Sequence, residues 1–144
     1  TLPIFEIFDY IDSVDSIDLA NKLNRIASEL GRVVKILIEV NTSGEQSKTG
    51  VAPENFSSLL DSVMNLKNLY LEGLMTVGPI TDSERETRAA FAHLRELRDR
   101  AKISTGLNLP VLSMGMSGDY EAAVAEGSNI VRVGSAIFGA RKYF

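Results

Sequence analysis

The sequence predicts an α/β domain built on an all-parallel sheet, and three observations carry that prediction. Strand-like and helix-like hydrophobic periods alternate along the whole chain. The run Val34-Lys35-Ile36-Leu37-Ile38-Glu39-Val40 is nearly continuous and β-branched, the pattern of a strand covered on both faces. Two consecutive strand-to-loop units near the end, Ser113 to Ala123 and Ile130 to Gly139, finish in small residues that expose backbone N–H groups and hydroxyls. The resulting β-α-β-α-β-α-β-α-β order, joined by right-handed crossovers, gives a parallel sheet with helices packed outside it. Periodicity alone leaves two architectures open, an open doubly wound sheet or part of a closed (β/α)8 barrel.

The elements follow in order. Tyr10 to Val14 alternates Ile11 and Val14 with Asp12 and Ser13, a short strand. Leu19, Leu23, Ile26, Ala27 and Leu30 fall at helical spacing, and Gly31 follows as a stop. After the Val34–Val40 strand comes a polar loop, Asn41 to Gly50, which reads as a solvated turn with Lys48 on the surface. Pro53 opens the next helix, where its missing N–H is harmless; that helix buries Phe56, Leu59, Leu60, Val63 and Met64. Leu69 to Val77 is a third strand. Ser83-Glu84-Arg85-Glu86 has capping-box spacing and opens a long charged helix with Phe91, Leu94, Leu97 and Ala101 on one face. Leu109 to Met116, a short helix from Asp119 to Glu126 stopped by Gly127, and Ile130 to Val133 complete the set. With no linker and no repeat beyond the β-α unit, residues 1–144 read as a single domain.

Composition excludes several functions. The chain has 144 residues, 44% hydrophobic and 24% charged, ordinary for a globular domain. A net charge of −4 without a basic run argues against nucleic acid. There is no cysteine and one histidine, so neither a disulfide framework nor a metal centre is expected. No apolar run approaches the roughly 18 residues of a membrane helix. The amino end, Thr1 to Glu6, has neither Met nor a signal pattern. A cytoplasmic protein that begins inside something longer is the expectation.

Chemistry concentrates in the last two units. In a strand, Arg132 and Gly134 point to one side and Val131 and Val133 to the other. A guanidinium there needs acceptors; either a carboxylate on a neighbouring strand or a bound ligand can supply them. Gly134 would let a ligand approach the backbone. Ser117 and Ser135 each end a strand. Ser117 reads as the N-cap of the next helix, which is compatible with anion binding because a helix N-terminus favours negative charge. Met75 reads first as core. His93 reads as a surface or boundary residue, and Asp9, Asp12, Asp15 and Asp18 as turn and cap carboxylates.

Together, Val40 to Gly50, Leu71 to Thr76, Leu112 to Glu126 and Ile130 to Arg141 resemble the pyridoxal phosphate homeostasis proteins, relatives of the alanine racemase barrel. Gly118 departs from that family's usual acidic residue. The resemblance implies part of a (β/α)8 TIM barrel of about 250 residues, with the five strands here as the fourth to eighth units. It implies pyridoxal 5′-phosphate as cofactor, with Ser117, Gly134 and Ser135 at its phosphate, Arg132 at the pyridine nitrogen and Met75 lining the pocket. The lysine that forms the family's Schiff base has no counterpart here; Lys35 and Lys48 are wrongly placed. A non-catalytic role in pyridoxal phosphate homeostasis is the first reading. An amino-acid racemase of the same fold is the second, and a barrel enzyme acting on a sugar phosphate is the third. Five barrel strands leave two open edges, so a remnant of a longer barrel, stabilised by dimerisation, strand exchange or a rearranged end, is expected.

Overall fold

The computed structural model describes residues 7–140. The Thr1–Glu6 stretch and Arg141, both part of the sequence reading, lie outside the described residues. Five strands, β1 (Tyr10–Val14), β2 (Val34–Glu39), β3 (Leu69–Met75), β4 (Val111–Met116) and β5 (Ile130–Arg132), pair in sequence order and all in parallel. That order settles the architecture. A doubly wound sheet reverses its strand order at a switch point and covers both faces. Consecutive neighbours joined by same-handed crossovers put every helix on one face, which is the curled arc of a (β/α)8 barrel.

The helices are α1 (Ile17–Glu29), α2 (Phe56–Met64), α3 (Glu84–Thr105), α4 (Tyr120–Ala125) and α5 (Ser135–Phe138). The apolar faces of α1 to α4 meet one side of the sheet in one core, whereas α5 buries none of its residues: Leu23, Ile26, Leu59, Leu60, Phe91, Leu94 and Ala123 pack with Val34, Ile36, Ile38, Leu74, Leu112 and Met114. Phe91, Ile36 and Leu112 are fully buried, each contributing about 1.5–3 kcal/mol of transfer free energy. The opposite, inner side of the sheet carries Tyr10, Lys35, Leu37, Glu39, Glu72, Ser113 and Arg132; β2 is covered on both faces from Ile36 to Glu39, and Lys35 is its exposed residue. Near the amino ends of the strands, Glu72 accepts the Tyr10 hydroxyl and lies 2.7 Å from Lys35 Nζ. Burial and that carboxylate push the Tyr10 hydroxyl up from its ordinary value.

Several boundaries differ from the sequence reading. β3 stops at Met75, although Thr76 N–H still reaches Ser113 O at 3.1 Å. β4 begins at Val111 because Leu109 takes φ +31° and Pro110 has no N–H. β5 ends at Arg132. Pro53 starts a 3-10 turn before α2. The capping box is half formed: Ser83 Oγ accepts Glu86 N–H at 3.3 Å, but the Glu86 carboxylate takes the Thr81 hydroxyl at 2.8 Å. Asp12 lies within β1 and is no cap. Asn41 to Gly50 is a built loop. Asn41 Nδ2 spans it to Glu45 O at 2.8 Å, Thr49 donates to buried Glu39 at 2.6 Å, and Val40 bridges Val51.

Glu126 fastens the C-terminal end of α4 to α3. Arg88 and Arg95 lie 2.8 and 2.6 Å from its two carboxylate oxygens. The Arg88 hydrogen bond first, with Arg95 adding to it and burial opposing, holds the Glu126 carboxyl below its ordinary 4.5. The folded state therefore binds fewer protons than the unfolded chain. This contribution is complete above about pH 4.5 and is lost as pH falls through the lower folded value. Glu126→Gln is expected to lower stability at pH 7 by about 1 kcal/mol and to flatten the acid limb of a stability–pH profile. An unchanged acid limb in urea unfolding would refute the assignment.

Candidate functional site

Strand alternation puts Arg132 on the inner face at the carboxyl end of β5, where β4 and β3 present oxygen acceptors. Its Nη1 donates to Ser113 Oγ at 2.6 Å and its Nη2 to Thr76 O at 2.8 Å. Ser113 and Thr76 are fully buried, and Arg132 is half-buried. Among the described residues no carboxylate makes an ion pair with Arg132, so the ion-pair alternative falls. Burial pushes the guanidinium down from its ordinary value, and the charges of Asp12, Glu39 and Asp119 pull it back up. Both acceptors are neutral. The positive charge is therefore held in place without being cancelled.

Ser117 does not cap α4; the N-cap position belongs to Asp119, whose Oδ1 accepts Met116 N–H at 2.6 Å. Ser117 instead crosses to the next loop, where its Oγ accepts the N–H groups of Gly134 at 3.1 Å and Ala136 at 3.2 Å. A hydroxyl that accepts twice still has its own hydrogen to donate. The two strand-end loops are thereby joined beside exposed Ser135. A Cβ on Gly134 would meet nothing within 4 Å, and its φ of −119° suits any residue. The fold does not require glycine there, and the space above it is open to a ligand.

Met75 is buried on the inner face, level with Ser113 across the β3–β4 pair. Lys48 is not a surface lysine. Its ammonium donates to Gly78 O and lies 2.9 Å from Glu45 Oε1, which also accepts Ile80 N–H at 3.0 Å. The β2–α2 loop thus buttresses the segment after Thr76. Lys35 sits at the amino half of the sheet in its pair with Glu72. His93 is half-buried on α3. A cleft of about 960 Å³ is lined by Ile80, Thr81, Glu84, Ser117, Asp119 and Tyr120, and it adjoins the cradle without including Arg132. Sequence reasoning missed Ser113 and Thr76. The available signal was Ser113 itself, a polar residue on the inner face of an otherwise apolar strand, level with Ile130 of β5. Among the described residues no group of His, Cys, Asp or Glu could hold a metal ion, and no helix is long and apolar enough to cross a membrane.

Comparison with known proteins agrees with the fold. The profile described as "Alanine racemase, N-terminal domain" matches residues 7–142. The pyridoxal phosphate homeostasis protein of Aquifex aeolicus is 44% identical over 124 residues, covering 86% of this chain and 54% of that protein. The chain thus spans about half the length of that curated relative. PipY of Synechococcus elongatus, solved with PLP bound, is 38% identical with a TM-score of 0.86, covering 96% of this chain and 64% of PipY. Alanine racemase of Clostridium difficile, at 21% identity and a TM-score of 0.76, shares the fold over 99% of this chain and 40% of its own.

Proposed function

The chain belongs to the alanine racemase N-terminal domain family, and from that premise we propose that it forms the phosphate and ring-nitrogen end of a pyridoxal 5′-phosphate site. Its role is pyridoxal phosphate homeostasis, without turnover of its own. The observation that carries the reading is the pairing, at one sheet edge, of an uncancelled guanidinium with a hydroxyl–amide cradle. The names and bound PLP of the relatives support it.

Ser117 and Ser135 would hold the ester phosphate through their hydroxyls, with the backbone beside Gly134 open to close approach. Arg132 would donate to the pyridine nitrogen. A fixed cation beside that nitrogen disfavours its protonation. Met75 would pack against the ring. Bound pyridoxal phosphate supplies an electron-withdrawing ring, and an unprotonated nitrogen weakens that property. This chain's contribution is therefore to hold the cofactor in a subdued state, which suits a carrier better than a carbanion enzyme. The outer edges of β1 and β5 have no strand partner among the described residues. Association there, with a second copy or with further strands, belongs to the same proposal.

Ser117→Ala removes the donor and releases two amides. We expect the affinity of the chain for inorganic phosphate and for pyridoxal 5′-phosphate, measured by calorimetry, to fall by about tenfold. Unchanged affinity would remove Ser117 from the site, and racemisation of alanine by the chain would overturn the non-catalytic reading.

A further inference from the structure

We infer that Ser113 is a positioning residue: its hydroxyl sets the orientation of the Arg132 guanidinium so that the cation faces a ligand ring nitrogen rather than the carboxylates of the sheet's inner face. The inference rests on the pyridoxal phosphate reading and goes beyond it by naming what aims the cation.

Of the two acceptors that hold Arg132, one is backbone and already fixed. Thr76 is tied by its N–H to Ser113 O at 3.1 Å, and its hydroxyl is 2.7 Å from Val40 O and 3.0 Å from Thr42 Oγ1. Thr76 is thereby held at the end of β3, where its carbonyl takes Nη2 at 2.8 Å. The other acceptor is the Ser113 hydroxyl, fully buried on a strand whose neighbours Leu112 and Met114 point into the helical core. Its 2.6 Å bond to Nη1 accounts for that hydroxyl on a buried strand. A guanidinium is a planar fork, so two acceptors on adjacent strands fix both its plane and its direction, while one acceptor leaves it free to swing. The groups waiting on the inner face are Asp12 on β1 and Glu39 on β2, with Asp119 nearby before α4. Glu39 is itself buried and takes the Thr49 hydroxyl. Without Ser113, Arg132 turns towards these carboxylates and its charge is lost to the ligand.

The chain, Ser113→Ala and Ser113→Thr are titrated with inorganic phosphate and with pyridoxamine 5′-phosphate, which has no aldehyde to react with surface lysines. Ring-nitrogen protonation is read from the 15N shift of ring-labelled ligand. For Ser113→Ala we expect about tenfold weaker pyridoxamine 5′-phosphate binding, unchanged inorganic phosphate binding, and a ring nitrogen moved towards the protonated state. Ser113→Thr restores all three. If Ser113→Ala does not fold, Ser113→Cys against Ser113→Thr gives the same contrast at similar volume. A wild-type nitrogen signal in the hydroxyl-less variant overturns the inference, as does an equal loss of both ligands. If the wild-type chain itself does not prefer pyridoxamine 5′-phosphate to inorganic phosphate, the functional reading falls and takes the inference with it.

Discussion

Arg132→Ala is expected to weaken pyridoxal 5′-phosphate binding by about 10- to 100-fold, the largest functional effect of any single substitution in this chain. The estimate follows from losing one charge-assisted hydrogen bond of about 1.5–3 kcal/mol, with each 1.4 kcal/mol worth a factor of ten. The substitution also leaves the buried Ser113 hydroxyl and the Thr76 carbonyl without the donor they share, so a modest loss of stability accompanies it. Arg132→Lys separates the two effects. Lysine keeps the charge but not the fork that spans β3 and β4, so affinity should fall for Arg132→Lys as well, with less loss of stability. Competition titration against pyridoxamine 5′-phosphate measures the affinities, and urea unfolding measures the stabilities. Equal affinity in the wild type and both variants would place the ligand elsewhere.

Gly73→Ala is expected to have the largest structural effect. Gly73 pairs with Val111 across β3 and β4, and a Cβ there would sit 2.0 Å from Val111 O and 2.7 Å from Val111 C. Both are backbone atoms in a hydrogen-bonded ladder, so no side chain can turn aside to make room. The strands must part, at a cost of about 3–5 kcal/mol, beyond ordinary core overpacking. β4 carries Ser113, and the opened pair also moves Thr76, so ligand affinity should fall together with stability. Gly118→Ala serves as the control. A Cβ at Gly118 meets nothing within 4 Å, and its stability should stay within about 0.5 kcal/mol of wild type. Similar denaturation midpoints for the two variants would contradict the account of the β3–β4 approach.

Much of this was legible in the sequence because strand and helix periods are local. The runs at Val34–Val40 and Ile130–Val133 and the stripes on α1, α2 and α3 need no tertiary information to be read. The choice between open sheet and barrel did need it, since only strand order distinguishes them. The same limit explains the errors at the site. Arg132, Ser117 and Gly134 stood out by residue type at strand ends. Ser113 did not, because a serine on a strand has meaning only once its neighbour across the sheet is known. The Asn41–Gly50 loop looked solvated because its residues are polar. Those polar groups are spent on one another and on β3, as Thr42–Thr76 and Lys48–Gly78 illustrate. Local signals favour a cap at Ser117, whereas its partners are 17 and 19 residues away. The four-residue α5 lacked enough length for a periodic signal.

The central claim is that this chain holds pyridoxal 5′-phosphate at the carboxyl edge of β3, β4 and β5, phosphate on the Ser117–Ser135 cradle and ring nitrogen on Arg132. Amide and arginine side-chain NMR shifts of the labelled chain, followed during titration with pyridoxal 5′-phosphate, test it most directly. The account predicts saturable shifts concentrated at Met75, Ser117, Arg132, Gly134 and Ser135, with inorganic phosphate moving the Ser117, Gly134 and Ser135 signals alone. Shifts centred on Lys35 and Glu72 at the opposite end of the sheet, or no saturable shift, would contradict it.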